Sequence, residues 1–128
     1  MLAGTVEAMR TAQQAPSAPH DLSRLSISEL AGLYEIAIQQ SEILSAIECQ
    51  PRCESRHGST PLGQIVEAEG TRFSFLSDDV IREMERRKPK SDAERSMILS
   101  ARLQHELRCN LQLGPEFLAE IATTWGAK

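Results

Sequence analysis

Aromatic residues are scarce in this chain: 128 residues include one Trp, one Tyr and three Phe. A core built with so few must rely on Leu, Ile, Ala and Met, which suits packed helices better than a sheet rich in Val, Tyr and Phe. No apolar run approaches the ~18 residues that a membrane-spanning helix needs. The first twenty residues lack the apolar core, roughly 7–15 residues long, of a secretory leader. Cysteine is confined to Cys49, Cys53 and Cys109. Three thiols without a leader point to a reducing, cytoplasmic setting, with export by a leader-independent route left open. There is no phosphate-cradling glycine loop, no nucleophile elbow and no HExxH. A formal net charge of -4 argues against a general binder of nucleic acid or anionic membrane.

What is present suits one helical domain. Residues 1–22, with the block "APSAPH", read as a flexible tail, because each proline lacks a donor and restricts its predecessor. The remainder, 23–128, reads as a single helical domain. A first long helix is expected near 27–50, opened by a capping box of Ser26 and Glu29 and closed by Pro51. It is apolar on two sides. One stripe runs through Leu30, Leu33, Ile36, Ala37, Ile43, Leu44 and Ile47, the other through Ile27, Ala31, Tyr34 and Ile38.

Three short helices and a second long one complete the expectation. Residues 61–69 form a short helix capped by Thr60 or Ser59, started by Pro61 and closed by Gly70. "TRFSF" alternates and reads as a brief extended link. Ser77 then caps another short helix, with Asp78 and Asp79 at its positive end. The second long helix is expected near 92–112, with Ser91 and Glu94 as a capping box and Gly114 as a stop. It too is apolar on two sides. A last short helix from Pro115 turns Phe117, Leu118, Ile121 and Trp125 inward.

The soft ligands invite a metal reading. Cys49 and Cys53 are four apart, and so are His105 and Cys109, the spacing that shares a helix face. Cys49, Cys53, His105 and Cys109 would make a structural zinc set, with His57 as the alternative imidazole. The proposal requires the C-terminal ends of the two long helices to meet. Against it, Pro51 breaks the register of the first pair, and cysteine is among the most buried residue types. Plain core cysteines are the commoner use of such residues. A Cys49–Cys53 disulfide and a thiol nucleophile assisted by His57 or His105 rank lower still, since no orienting third group is evident.

Residues 82–108 are net positive, and "RRKPK" is their densest tract. Arg86, Arg87, Lys88 and Lys90 are candidates for contact with an anion or an acidic partner. The plainer reading is a helix C-terminus complemented by cations. A helix-turn-helix-like DNA-binding regulator built on residues 82–90 is an alternative, but the helix that follows is too apolar to lie in a groove. The carboxylate pairs Asp78/Asp79, Glu67/Glu69 and Glu83/Glu85 suit solvated faces and helix starts rather than acid–base catalysis.

The sequence therefore predicts an all-α protein: a small helical bundle with two long central helices and three short ones. Their double-sided apolar faces exceed what short helices cover, so a homodimer or a protein partner is expected. The function expected is a non-enzymatic interaction or regulatory module without a cofactor, the alternatives being a zinc-stapled domain and the DNA-binding regulator. Neither a nucleic-acid nor a membrane partner is expected.

Overall fold

The computed structural model describes residues 20–110 and 112–126, and the expected tail falls mostly outside them. The architecture is all-α apart from one small hairpin. A 3-10 turn, Leu22–Arg24, leads into α1 (Ile27–Glu48). A two-stranded hairpin follows, β1 (Glu54–Ser55) and β2 (Gly58–Ser59), and then α2 (Pro61–Arg86), α3 (Asp92–Cys109) and α4 (Pro115–Trp125). Among the described residues no helix is long and apolar enough to cross a membrane.

The arrangement differs from the expected two long and three short helices. The two short helices foreseen around "TRFSF" are one continuous helix, α2, the longest among the described residues. Gly70 does not stop it and Ser77 does not cap it. The reason is the partner helix. Val66, Gly70, Phe73, Ser77, Val80 and Met84 follow alternating steps of four and three, the spacing of a helix seam. In α1 the matching seam is Ile27, Leu30, Tyr34, Ala37, Ser41, Leu44 and Glu48. Four members of that seam, Ile27 through Ala37, are buried. α1 and α2 pack antiparallel, and theirs is the most extensive contact between elements. A Cβ placed on Gly70 would lie 3.6 Å from the Cβ of Leu44, so the small residue sits at ordinary packing distance from α1. Ser77 is buried, and its hydroxyl is satisfied by donating to the carbonyl of Ser74 at 2.7 Å.

The cap of α1 is as the sequence predicts. The Ser26 hydroxyl accepts from Glu29 N–H, and the Glu29 carboxylate accepts from Ser26 N–H. At α3 only half of the expected box forms. Ser91 accepts from Glu94 N–H, but the Glu94 carboxylate takes the N–H of Lys90 instead. α3 ends at Cys109 rather than near 112.

The hairpin between α1 and α2 is fastened to the start of α2. Gly58 at its turn has φ 110°, a left-handed conformation that glycine adopts without strain. Thr60 N–H donates to Cys53 O, and the Thr60 hydroxyl donates to Arg52 O while accepting from Gly63 N–H. Cys53 is buried against this corner, and a Cβ on Gly63 would stand 2.1 Å from its carbonyl oxygen.

α3 closes the other half of the α1–α2 pair. Ile98 and Ala101 join Leu22, Ile27, Leu30, Tyr34, Val80, Ile81 and Met84 in one core. Arg87 pins the N-terminal turn to the end of α2. Its guanidinium donates to the carbonyls of Leu22 and Ser23 and pairs with Glu83 at 2.7 Å. Arg86 also pairs with Glu83, whose side chain is only 10% exposed. The hydrogen bond from Arg87 is the main cause holding the Glu83 carboxyl below its ordinary pKa.

α4 turns its expected apolar face inward only in part, with Phe117 and Ile121 half-buried against the bundle. None of its residues is buried. It lies along α3 through the Arg102–Glu120 ion pair, Arg102 over the Phe117 ring, and Trp125 Nε1 donating to Ser96 Oγ. Leu118 and Trp125 stay exposed.

Two predictions follow from this packing. Gly70→Ala should stabilise the protein by about 0.5–1 kcal/mol through helix propensity, whereas Gly63→Ala should cost roughly 1–3 kcal/mol by displacing Cys53. Thermal melts of the two variants should therefore shift in opposite directions. For Glu83, the depressed folded pKa means that its contribution is present above the unfolded carboxylate pKa and is lost as pH falls through the folded value. Glu83→Gln should cost about 2 kcal/mol at neutral pH and flatten the acid limb of the stability profile, read by denaturant titration at several pH values.

Candidate functional site

The C-terminal half of α3 brings a histidine and a thiol together with a phenol from α1 and a carboxylate from α2. His105 and Cys109 are one turn apart on α3, with Sγ 3.7 Å from Nε2 and 4.0 Å from Nδ1. From α2, Asp78 Oδ1 reaches to 3.5 Å from His105 Nε2. From α1, the Tyr34 hydroxyl lies 3.4 Å from His105 Nδ1, and the two rings meet edge-on with centroids 6.1 Å apart. Ligand atoms of Asp78, His105 and Cys109 all lie within 4.8 Å of one another.

These groups occupy a gradient of exposure. Tyr34 is fully buried, His105 and Asp78 are partly covered, and Cys109 is exposed. Burial foremost pushes the Tyr34 hydroxyl up to about 12, opposed by the positive Arg108 and reinforced by Cys109 and Asp78. Burial also pushes the Cys109 thiol up, aided by the negative charges of Asp78 and Glu106. Beside the cluster, Arg108 pairs with Glu42 and ties the end of α3 to α1.

Only two of the four residues in the expected zinc set meet. Cys49 is exposed at the end of α1, where its thiol donates to Ser45 O at 3.7 Å. Cys53 is buried at the start of α2, and His57 is exposed at the tip of the hairpin. The physical reason is helix length. α3 reaches α1 at Glu42, and Cys49 lies a further two turns along, about 10 Å at the rise of an α-helix. The C-terminal ends of the two helices therefore do not meet. The third member of the observed group, Asp78, was assigned by sequence to a helix start. The signal that would have found it is the unbroken seam through Gly70 and Ser77, which puts Asp78 mid-helix beside the core stripe.

The basic tract is divided between internal and exposed roles. Arg87 is committed to Glu83 and the N-terminal turn, while Arg86 pairs with Glu83 but remains largely open to solvent. Lys88 and Lys90 are exposed. Of the carboxylates expected on solvated faces or at helix starts, Asp79 pairs with Arg82 and Glu69 with Arg72, whereas Glu83 is buried. A hollow of about 820 Å³ beside this tract is walled by charged groups, including Asp21, Asp79, Arg82 and Arg86.

Large apolar side chains remain uncovered elsewhere. Ile36 and Ile43 on α1 are 54% and 52% exposed, and Ile65 at the start of α2 is 64% exposed. Leu62 and Leu107 are exposed as well. Compared with family models, with curated proteins and with solved structures, the chain finds no match in any of the three.

The thiols give a direct check on this geometry. Under native conditions Cys49 and Cys109 should be labelled by a thiol reagent and Cys53 should be spared, all three reacting once the protein is unfolded. Peptide mass spectrometry distinguishes the sites.

Proposed function

We propose that the chain is a non-enzymatic helical interaction module that associates with a second copy of itself along the outward face of α1. The observation that carries this reading is the pair Ile36 and Ile43, both more than half exposed and one heptad apart. They lie on the side of α1 opposite the seam that meets α2. Gly32, Gln39 and Ala46 complete the same outward line, and an added Cβ at Gly32 would meet nothing within 4 Å.

An a/d-like alternation of Ile with small or polar residues is the pattern through which two helices interdigitate, and a polar Gln in the seam favours one register. A line of this kind would meet its copy across a two-fold axis, the commonest symmetry of homodimers. Covering four half-exposed Ile side chains, two from each copy, contributes about 1 kcal/mol apiece. The association therefore has the strength of a concentration-dependent equilibrium rather than of an obligate dimer. A protein partner with a similar apolar helix would use the same face.

Light scattering or equilibrium sedimentation tests the proposal. The expected mass rises with concentration from the 14.2 kDa monomer toward twice that value. The double substitution Ile36→Lys, Ile43→Lys should hold the protein at monomer mass with unchanged helical circular dichroism. A wild-type chain that stays monomeric throughout, or a double variant that still pairs, would rule the reading out.

A further inference from the structure

We propose that Asp78, His105 and Cys109 form a three-ligand site for a divalent transition metal of the zinc class, held between α2 and α3. The proposal uses none of the residues on the outward face of α1 and does not rest on self-association.

The spacing of the donor atoms fits such an ion. A tetrahedral zinc holds a nitrogen and an oxygen ligand about 3.4 Å apart, and a nitrogen and a sulfur ligand about 3.6 Å apart. The corresponding separations are 3.5 Å from His105 Nε2 to Asp78 Oδ1 and 3.7 Å from Nε2 to Cys109 Sγ. Because Sγ is nearly equidistant from the two ring nitrogens, it stands beside the imidazole rather than on the Nε2 lone-pair axis. Ligation requires the thiol to swing toward Asp78. Cys109 is exposed and turns about a single torsion, so little opposes that movement.

Ligation through Nε2 would place the ring proton of His105 on Nδ1, beside the Tyr34 hydroxyl. Zinc-binding histidines commonly donate their second ring N–H to a fixed acceptor, which orients the ring and leaves the other nitrogen free for the ion. The Tyr34 hydroxyl occupies that place at Nδ1, and it is anchored in the core of α1. Nε2 is then the nitrogen that faces Asp78.

The donor set selects the class of metal. Calcium and magnesium take oxygen ligands. One thiolate, one imidazole and one carboxylate suit Zn²⁺ and its spectroscopic substitute Co²⁺. Three protein ligands leave a fourth position for water or for a group brought by a partner. The last turn of α3 also presents the partial negative charge of a helix C-terminus. Two ligands come from α3 and one from α2, so a bound ion would staple the end of α3 to the α1–α2 pair.

The test is Co²⁺ titration of the metal-free, full-length chain. We expect one Co²⁺ per chain, a thiolate-to-metal charge-transfer band, displacement by Zn²⁺, and a higher melting temperature with Zn²⁺. Cys109→Ser should abolish the band. Asp78→Asn and His105→Gln should each weaken binding at least tenfold. Cys49→Ser should leave both band and affinity unchanged. His105→Gln also removes packing against Tyr34 and can disturb the fold, so Cys109→Ser, with helicity verified by circular dichroism, is the deciding variant. Absence of the band in the wild-type chain, its survival in Cys109→Ser, or its loss in Cys49→Ser would each overturn the proposal.

Discussion

The antiparallel contact of α1 with α2 is the constraint on which the rest of this structure depends. It needs two helices long enough to run side by side and small residues where their backbones come together. Gly70 provides the latter against Leu44, and Ser41 and Ser77 share the seams with Leu30, Tyr34, Phe73, Val80 and Met84. A glycine inside a helix costs about 1 kcal/mol relative to alanine. Packing along the full seam offsets that cost, and the continuous 26-residue α2 is the result.

The N-terminal turn and α3 take their places from this pair, and α4 from α3. α3 covers only the half nearest the chain's N-terminal turn, where the buried core lies. Arg87 and the buried Glu83 fasten that turn to the end of α2. Because α3 stops at the level of Glu42, the far half of the pair projects beyond it and leaves Leu62 and Ile65 uncovered. The same geometry sets His105 and Cys109 against the middle of α2, where Asp78 is waiting, and away from Cys49 and Cys53.

Some features were legible from residues alone. The start of α1 was, because its capping box is a local exchange of two hydrogen bonds between Ser26 and Glu29. So was the end of α1 before Pro51, since a proline's missing donor acts on its own helix. The middle of α2 was not. Gly70 and Ser77 carry the same local preferences whether they end a helix or sit in its seam, and only the presence of α1 decides between the two uses. The inward face expected of α4 is covered only in part for a related reason: amphipathic spacing shows that a face needs covering, not how far a neighbour covers it. For the soft ligands, the His105–Cys109 pair followed from the four-residue spacing on one helix. The addition of Asp78, and the separation of Cys49 and Cys53, depended on how far α3 extends along α1.

What the sequence determined by itself is therefore the helical class, the local caps and stops, and which side chains share a helix face, because those depend on interactions within a turn or two of chain. Tertiary structure alone decided that residues 61–86 are one helix and that α4 lies at the surface. It also decided that Asp78 faces His105. Those outcomes are set by contacts between segments distant in sequence, whose energies exceed the local preferences that would have chosen otherwise.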